Sequence, residues 1–449
     1  MKGFNHIHRD QQGSILLVVL GFLCITIGLV ITILGVASNA RRISQEQVDM
    51  EKAMYVAEGG LERGARFMQS NLNVIVSSST GCTNGSGSIG SGSYTFSIIR
   101  SNGASSTYFI IATGTVSSAR SGVGVTRVCK LLNVYQPTYA QFSLWSATNG
   151  AIWFVSGETF SGQVHSDDQM YFNASGGGPV FHSAVTSGAG TYTISGGAIT
   201  DIEFDQGFAL NTFLGKMADV DFNSAASTSL KNEASNTGTL GTLLVGTSTI
   251  TFNSGTFTVT NTRKSWNNHV LTNSTTGDNI IYVQAASSGT LDTAGKVYLN
   301  GGTLQGRVTI ASEDDINIGG NIFYKNDPQT IPSSTDALGL IAMSDVWVGS
   351  TAPNNLQIHA AIMATGVKAG VDGSFGVTGY DSGPSRGILT VYGGIVQEIR
   401  GAVGTGSGGA STTGYSKNYS YDSRFITKPP PYYPTISNQL SFAQWSESN

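Results

Sequence analysis

The chain carries no charged side chain from Gln11 to Ala40, and inside that window Ser14–Ala37 (SILLVVLGFLCITIGLVITILGVA) is almost wholly apolar over 24 residues. A helix rises ~1.5 Å per residue, so this run is long enough to cross a hydrocarbon core of ~30 Å. A secretory signal peptide is the rival reading. Its apolar region is usually about 7–15 residues long and ends at a small-residue cleavage site. Here the run is longer and passes straight into a helical pattern, which favours a retained membrane helix. Ile43, Met50 and Ala57 are spaced by seven, and Met54, Leu61 and Met68 repeat that spacing with an offset of four. Together they predict one apolar stripe on a helix reaching about Ser70. Arg42, Glu46, Asp49, Glu51, Lys52, Glu58, Glu62 and Arg63 fall on the other face.

Beyond that helix the composition changes. The 449 residues contain 58 glycines but 10 prolines, and Lys+Arg (24) against Asp+Glu (28) gives a net charge of −4. Charged residues are 12% of the chain, about half the usual share. Glycine without a three-residue period excludes collagen. A hydrophobic content of 40% supports a large core and argues against global disorder. Nucleic-acid binding is disfavoured, because phosphate contacts need clustered Lys and Arg.

Ser77–Ser93 reads as a Ser/Gly linker. Strands are expected at Tyr94–Arg100, Tyr108–Thr115 and Gly124–Tyr135, forming an antiparallel meander against the helix. From Pro137 onward, short alternating apolar runs are separated by Gly, Asn, Asp and Ser. Examples are Gln169–Asn173, Thr191–Ser195, Thr247–Asn253, Arg307–Ala311 and Ile388–Val391. The one helix candidate is Phe208–Asp219. Val308–Ile318 (VTIASEDDINI) and Leu340–Val348 (LIAMSDVWV) share a loose frame, with Ile310 and Ile341 31 positions apart. Small–small–Ile elements follow at Gly319–Ile322, Ala360–Ile362 and Gly393–Ile395. Imperfect repeats of this kind predict stacked coils sharing one core, a right-handed parallel β-helix. The alternative is an antiparallel β-sandwich. Pro137–Gly150, with Phe142 and Trp145, is expected to cap one end, and Lys428–Pro434 (KPPPYYP) to run extended over the outside. The fold class is thus mainly β with a long N-terminal α-helix. The expected divisions are 1–13, 14–72, 73–136, a head at 137–435 and a tail at 436–449.

Few residues suggest chemistry. Cys24 lies in the apolar run. Cys82 and Cys129 are 47 positions apart; an oxidising compartment would permit a disulfide, and two free thiols are equally compatible with the sequence. His165, Asp167 and Asp168 (HSDD) form the densest acidic cluster. Its bland reading is a set of solvated turn acids, and calcium is the minor alternative. Asp314 and Asp315 are adjacent, so on a strand they point to opposite faces. His165, His182 and His359 lack metal-ligand spacing, and no cofactor motif is present. No catalytic residue, metal or cofactor is therefore expected. A glycan-cleaving enzyme would need acids from successive coils to converge in one groove.

Met1–Gly13 (MKGFNHIHRDQQG), followed by Ser14 and the apolar run, resembles the leader of type IV pilins and type II secretion pseudopilins. Ala53–Arg63 (AMYVAEGGLER) resembles a stretch common in PilX-type minor pilins. The resemblance covers roughly residues 1–70. It implies cleavage by prepilin peptidase after Gly13 and methylation of Ser14. It also implies a single-pass inner-membrane protein, N-terminus inside, that later joins a pilus or pseudopilus. The implied partners are other pilins, prepilin peptidase, the inner-membrane assembly platform and a surface or glycan ligand of the head. One departure is Val18, at the fifth position after the cleavage site, where major pilins carry glutamate. That departure favours a tip or priming position. The body resembles a poorly characterised domain found behind such N-termini, through Glu158–Ser166 (ETFSGQVHS), Ile358–Ile362 (IHAAI), Leu389–Gly404 (LTVYGGIVQEIRGAVG), Tyr421, Asp422 and Pro429–Pro434. That likeness supplies no chemistry.

Overall fold

In the computed structural model, helix α1 (His8–Ser70) runs 63 residues without a break. The structure describes residues 8–71, 82–100, 107–117, 124–214, 229–235, 240–274, 277–288, 293–368, 372–407, 410–436 and 441–448. From Ile15 to Val48 every residue of α1 is exposed. Its most apolar window has a mean hydropathy of 2.9, and it is long and apolar enough to cross a membrane. The lower part of the same helix packs on a sheet through Ala53, Val56, Ala57, Leu61 and Met68. Ile43 and Met50, expected on the buried stripe, stay exposed; the sheet reaches Met50 through the Arg127 side chain, which donates to its Sδ (3.2 Å).

That sheet contains β1 (Cys82–Ile89), β2 (Gly92–Arg100), β3 (Thr107–Ser117) and β4 (Gly124–Tyr135), all antiparallel in chain order. The strands β2 to β4 match the sequence reading closely. Two expectations are corrected. Part of the Ser/Gly stretch is strand β1, since backbone pairing to β2 needs no apolar side chains. The expected tail returns as a fifth strand, Ser441–Ser448, antiparallel to β4. Helix and sheet approach unusually closely at Gly114 of β3. A Cβ there would lie 2.3 Å from the Ala53 carbonyl oxygen and 2.4 Å from the Ala57 nitrogen.

The body is built from parallel ladders whose strands meet at tight turns. Ladder one pairs, in spatial order, Leu240–Val245, Asp278–Gln284, Arg307–Ser312, Ala337–Ala342, 361–364 and 395–399. It then continues into Phe142–Thr148, Gln163–Ser166, Val185–Ser187 and Phe208–Ala209. Ladder two includes 248–250, 297–299, Ile316–Ile318, Val346–Val348 and Phe375–Val377. Ladder three includes 302–304, Ile322–Tyr324, Ile358, 388–393 and 416–421. Antiparallel pairing in the body is limited, among the described residues, to the Ser248–Thr272 and Gly404–Tyr421 segments and a single bridge at Thr138. The antiparallel sandwich is therefore not the arrangement found.

The stack does not follow chain order. Residues 142–209 sit beyond 395–399, and the chain then restarts at Leu240 at the opposite end of ladder one. Phe142–Thr148 is consequently an internal strand and caps no end; Trp145 is fully buried between neighbours on both sides. No helix forms at Phe208–Leu214, where Phe208–Ala209 completes a ladder instead. The remainder of the expected helix lies outside the described residues.

Register tests the repeats. Ala360, Ala361 and Ile362 pair with Gly393, Gly394 and Ile395, as the small–small–Ile pattern implied. These small residues turn the chain from ladder three into ladder one. A Cβ on Gly393, whose φ is +150°, would meet the Ala360 oxygen. Gly319–Ile322 occupies a different corner, since Ile322 pairs with Ile358. Ile310 pairs with Leu340, one position short of the loose alignment.

Inward residues form one continuous core. In the 142–209 coils it is aromatic, with Phe181 stacked between Phe160 (5.2 Å) and Phe204 (5.1 Å). The outer side of ladder one is also covered. The Pro429 and Pro431 carbonyls accept from Arg307 and Thr309, so the proline-rich segment does cross the outside. The short helix α2 (Leu230–Ser235) adds Leu230 and Ala234 to a second apolar cluster on that outer side, with Ile280 and Tyr282. Where body and sheet join, the two crossing strands are bonded to each other. Tyr139 N donates to Pro434 O (3.0 Å), and Ile436 N donates to Pro137 O (2.9 Å).

Candidate functional site

Gly13 and Ser14 both lie inside α1. Val18 is exposed, as are its apolar neighbours. Cys82 and Cys129 are not brought together. β1 and β4 are separated by β2 and β3, about 14 Å at ordinary strand spacing, whereas a disulfide needs Cα atoms within about 7 Å. Cys129 instead packs under α1, with Sγ 3.4 Å from Met54 Sδ.

His165, Asp167 and Asp168 lie on the outer side of ladder one. His165 is buried, with Nδ1 2.7 Å from Thr186 Oγ1 and Nε2 2.9 Å from Asp167 Oδ1. The Leu214 N–H also donates to Asp167 Oδ1 (3.0 Å), and the Asn149 N–H donates to Asp168 Oδ2 (3.2 Å). The two carboxylates thus accept from different protein donors, and Asp167 Oδ2 is buried without a hydrogen-bond partner. Thr186 is the register partner of His165 on the next coil, a neighbour that sequence spacing alone does not reveal. A cluster that spacing also missed is His182, Glu203 and Asp205, whose ligand atoms lie within 4.8 Å of one another; all three are exposed.

Asp314 and Asp315 lie in the turn between Arg307–Ser312 and Ile316–Ile318, not on a strand, and each meets its own lysine. Lys368 Nζ lies 2.6 Å from Asp314, and Lys296 Nζ lies 2.7 Å from Asp315. Turn acids of successive coils do line up, but as caps. Asp315 Oδ1 accepts from Asp345 N (3.4 Å), and Asp345 Oδ1 accepts from Ser374 N (2.7 Å). Burial opposes ionisation of Asp315, but the hydrogen bond and charge of Lys296 hold its carboxyl below the usual value. Burial and the charges of Asp315 and Asp372 push Asp345 the other way.

Of the stretches that carried the body's resemblance, Glu158–Ser166, Leu389–Gly404 and Tyr421 meet at one seam, where 142–166 stacks on 385–421. Ile358–Ile362 instead pairs on the far side of 391–395, and the proline-rich segment contacts Arg307 and Thr309. Tyr421 N donates to Ser161 Oγ (2.9 Å), and Gly162 leaves room for the Tyr421 ring. Beside this contact is a cavity of about 280 Å³, lined by Ile152, Trp153, Glu158, Ser411, Tyr415 and Lys417 among others. At its base Lys417 Nζ lies 2.6 Å from Glu158 Oε1, and Glu158 Oε2 accepts from Val155 N (3.2 Å). Arg400 is buried behind them. It donates to Asn149 Oδ1 (3.1 Å) and Ile152 O (3.0 Å) and lies 3.9 Å over the Phe154 ring. Burial pushes the Lys417 ammonium below the usual lysine value, and the Arg400 charge adds to that, against Glu158. Glu158 and Lys417 are 259 positions apart, so no sequence motif could have joined them.

No known family model matches the sequence. No curated protein matches it either. Among solved structures, the chain is similar to the competence-associated pilin ComZ from Thermus thermophilus, with 11% identity and a TM-score of 0.34. The match covers 89% of this chain and 97% of the other. A likeness this remote carries no argument about the present chain.

Proposed function

We propose that the chain is a minor pilin or pseudopilin-like protein. In this reading it is anchored in the inner membrane by α1 and carries a parallel β-helical head at or near the tip of a filament. The observation that supports it is the division of α1 into two unlike halves. The upper half is apolar and wholly exposed, and the lower half is packed on a four-stranded meander. An exposed apolar helix of this length is stable only in lipid or against other apolar helices, and the pilin reading supplies both. Gly13 and Ser14 are the proposed processing site. Val18 at the fifth position after it leaves no carboxylate for a neighbouring subunit's amine, which favours a terminal place in the fibre. The three parallel ladders support the β-helical reading of the head. The role is proposed to be adhesive or assembly-priming and not catalytic, since the aligned turn acids are engaged as caps.

N-terminal sequencing of protein extracted from envelopes with active prepilin peptidase tests this. The expected residue is a methylated Ser14. Recovery of intact Met1 refutes it. Deleting the gene and scoring piliation and secretion separately assigns the protein to one filament or the other.

A further inference from the structure

Lys417 and Glu158 both line the seam cavity, and Arg400 lies buried outside that lining. Glu158 is the one carboxylate paired with either basic side chain, through Lys417 Nζ at 2.6 Å. Arg400 has only neutral hydrogen-bond partners at its NH1, the Asn149 amide and the Ile152 carbonyl. A buried cation without a matching anion is costly. Lys417 has three N–H donors, and Glu158 takes one of them. Above this base the wall is mixed. Trp153 and Tyr415 supply aromatic surface, and Ser411 and Ser416 supply hydroxyls, with their Oγ atoms 3.1 Å apart. An aromatic wall, hydroxyl donors and acceptors, and a lysine backed by a buried arginine suit a ligand that is polyhydroxylated and carries one carboxylate.

We propose that the seam cavity binds an acidic sugar, a hexuronate unit. Its carboxylate is received by Lys417, its ring lies against Trp153, and its hydroxyls meet Ser411 and Ser416. The cavity volume of about 280 Å³ admits one pyranose ring and opens outward, so the unit can be the end of a longer chain. The site joins residues from opposite ends of the head sequence and therefore exists only when the seam is closed. Binding is independent of filament assembly, although it gives the proposed adhesive role a ligand class.

The full chain in detergent micelles is titrated with methyl β-D-glucuronide, methyl β-D-glucoside and acetate, followed by saturation-transfer NMR. Saturable binding of the glucuronide is expected, at least about tenfold tighter than either control, the worth of one charge-assisted hydrogen bond. Thr405→Trp, at an exposed position on the cavity rim, is expected to weaken that binding at least about tenfold by filling the space. Lys417→Met should remove the preference over the neutral glucoside. If that variant fails to fold, Thr405→Trp still decides. The proposal is overturned if no glucuronide binding saturates, if acetate or the glucoside binds as well, or if Thr405→Trp binds like the unaltered chain. N-terminal processing of the same preparation reports separately on the pilin reading, so failure of one is distinguishable from failure of the other.

Discussion

Replacing Gly114 by alanine should loosen the stalk from its sheet while leaving the head intact. The added Cβ would lie 2.3 Å from the Ala53 oxygen, against an ordinary contact of 3.4 Å or more. The obstacle is helix backbone, so no side chain can rotate aside, and α1 must retreat from β3 by about 1 Å. A gap of that size forfeits roughly a quarter to a half of the contact energy of the facing atoms. Here those belong to Ala53, Val56, Ala57, Leu61 and Met68 on the helix and Ile110, Ala112 and Val116 on β3. Overpacking of this kind costs about 1–3 kcal/mol. Because the chain has several folding units, a single melting temperature is a poor readout. Hydrogen exchange resolves the sheet directly. The amides of β2 to β4 should exchange about 5 to 150 times faster than in the unaltered chain, with ladder amides unchanged. Gly28→Ala is the control, since nothing lies within 4 Å of its added Cβ. That change should be neutral or slightly stabilising, because alanine loses less backbone entropy in a helix. Equal exchange in the two variants would refute the close-approach reasoning.

Phe181→Ala removes the middle ring of the aromatic stack and should cost about 3–5 kcal/mol, measured by denaturant unfolding of the head signal. A cost below about 1 kcal/mol would mean the stack is not a packed core. Asp315 has a lowered carboxyl value when folded, so its contribution is present above the ordinary value of 3.8 and is lost as pH falls through the folded value. Asp315→Asn should flatten that acid limb, and stability curves against pH would show it. His359 is buried among Phe323, Tyr324 and Tyr392, and burial lowers its folded value below 6.5. The unfolded chain then takes up a proton that the folded one resists, so stability should fall as pH drops from 6.5 toward the folded value. His359→Phe should abolish that slope in urea titrations across the same range, and an unchanged slope would place the effect elsewhere.

Much of the local structure was legible because side-chain periodicity reports burial. The alternation around Thr247–Asn253 and Arg307–Ala311 predicted strands that form within a residue of those bounds. The small–small–Ile elements at Ala360 and Gly393 predicted an in-register pair because a tight corner tolerates only small side chains. Lys428–Pro434 predicted a crossing over the outside because proline has no N–H to give a ladder. The segment is not extended throughout, since it turns at Tyr432 (φ +56°) with Tyr433 N donating to Pro430 O. Ser77–Ser93 misled because β1 is held by backbone bonds and offers no apolar pattern. Phe208–Asp219 misled because a ladder partner, Val185–Ser187, overrode local propensity.

Taken alone, the sequence determined the exposed apolar helix, the strand-rich body and the face each strand turns inward, since these follow from which side chains avoid water. Tertiary structure alone decided which coil stacks on which. Inward residues such as Ile395 and Leu144 are interchangeable apolar neighbours, so alternation fixes a face but names no partner. The return of 142–209 onto 395–399, the fifth strand at Ser441–Ser448 and the meeting of Glu158 with Lys417 all arise from that choice. They depend on contacts spanning most of the chain, which no local pattern encodes.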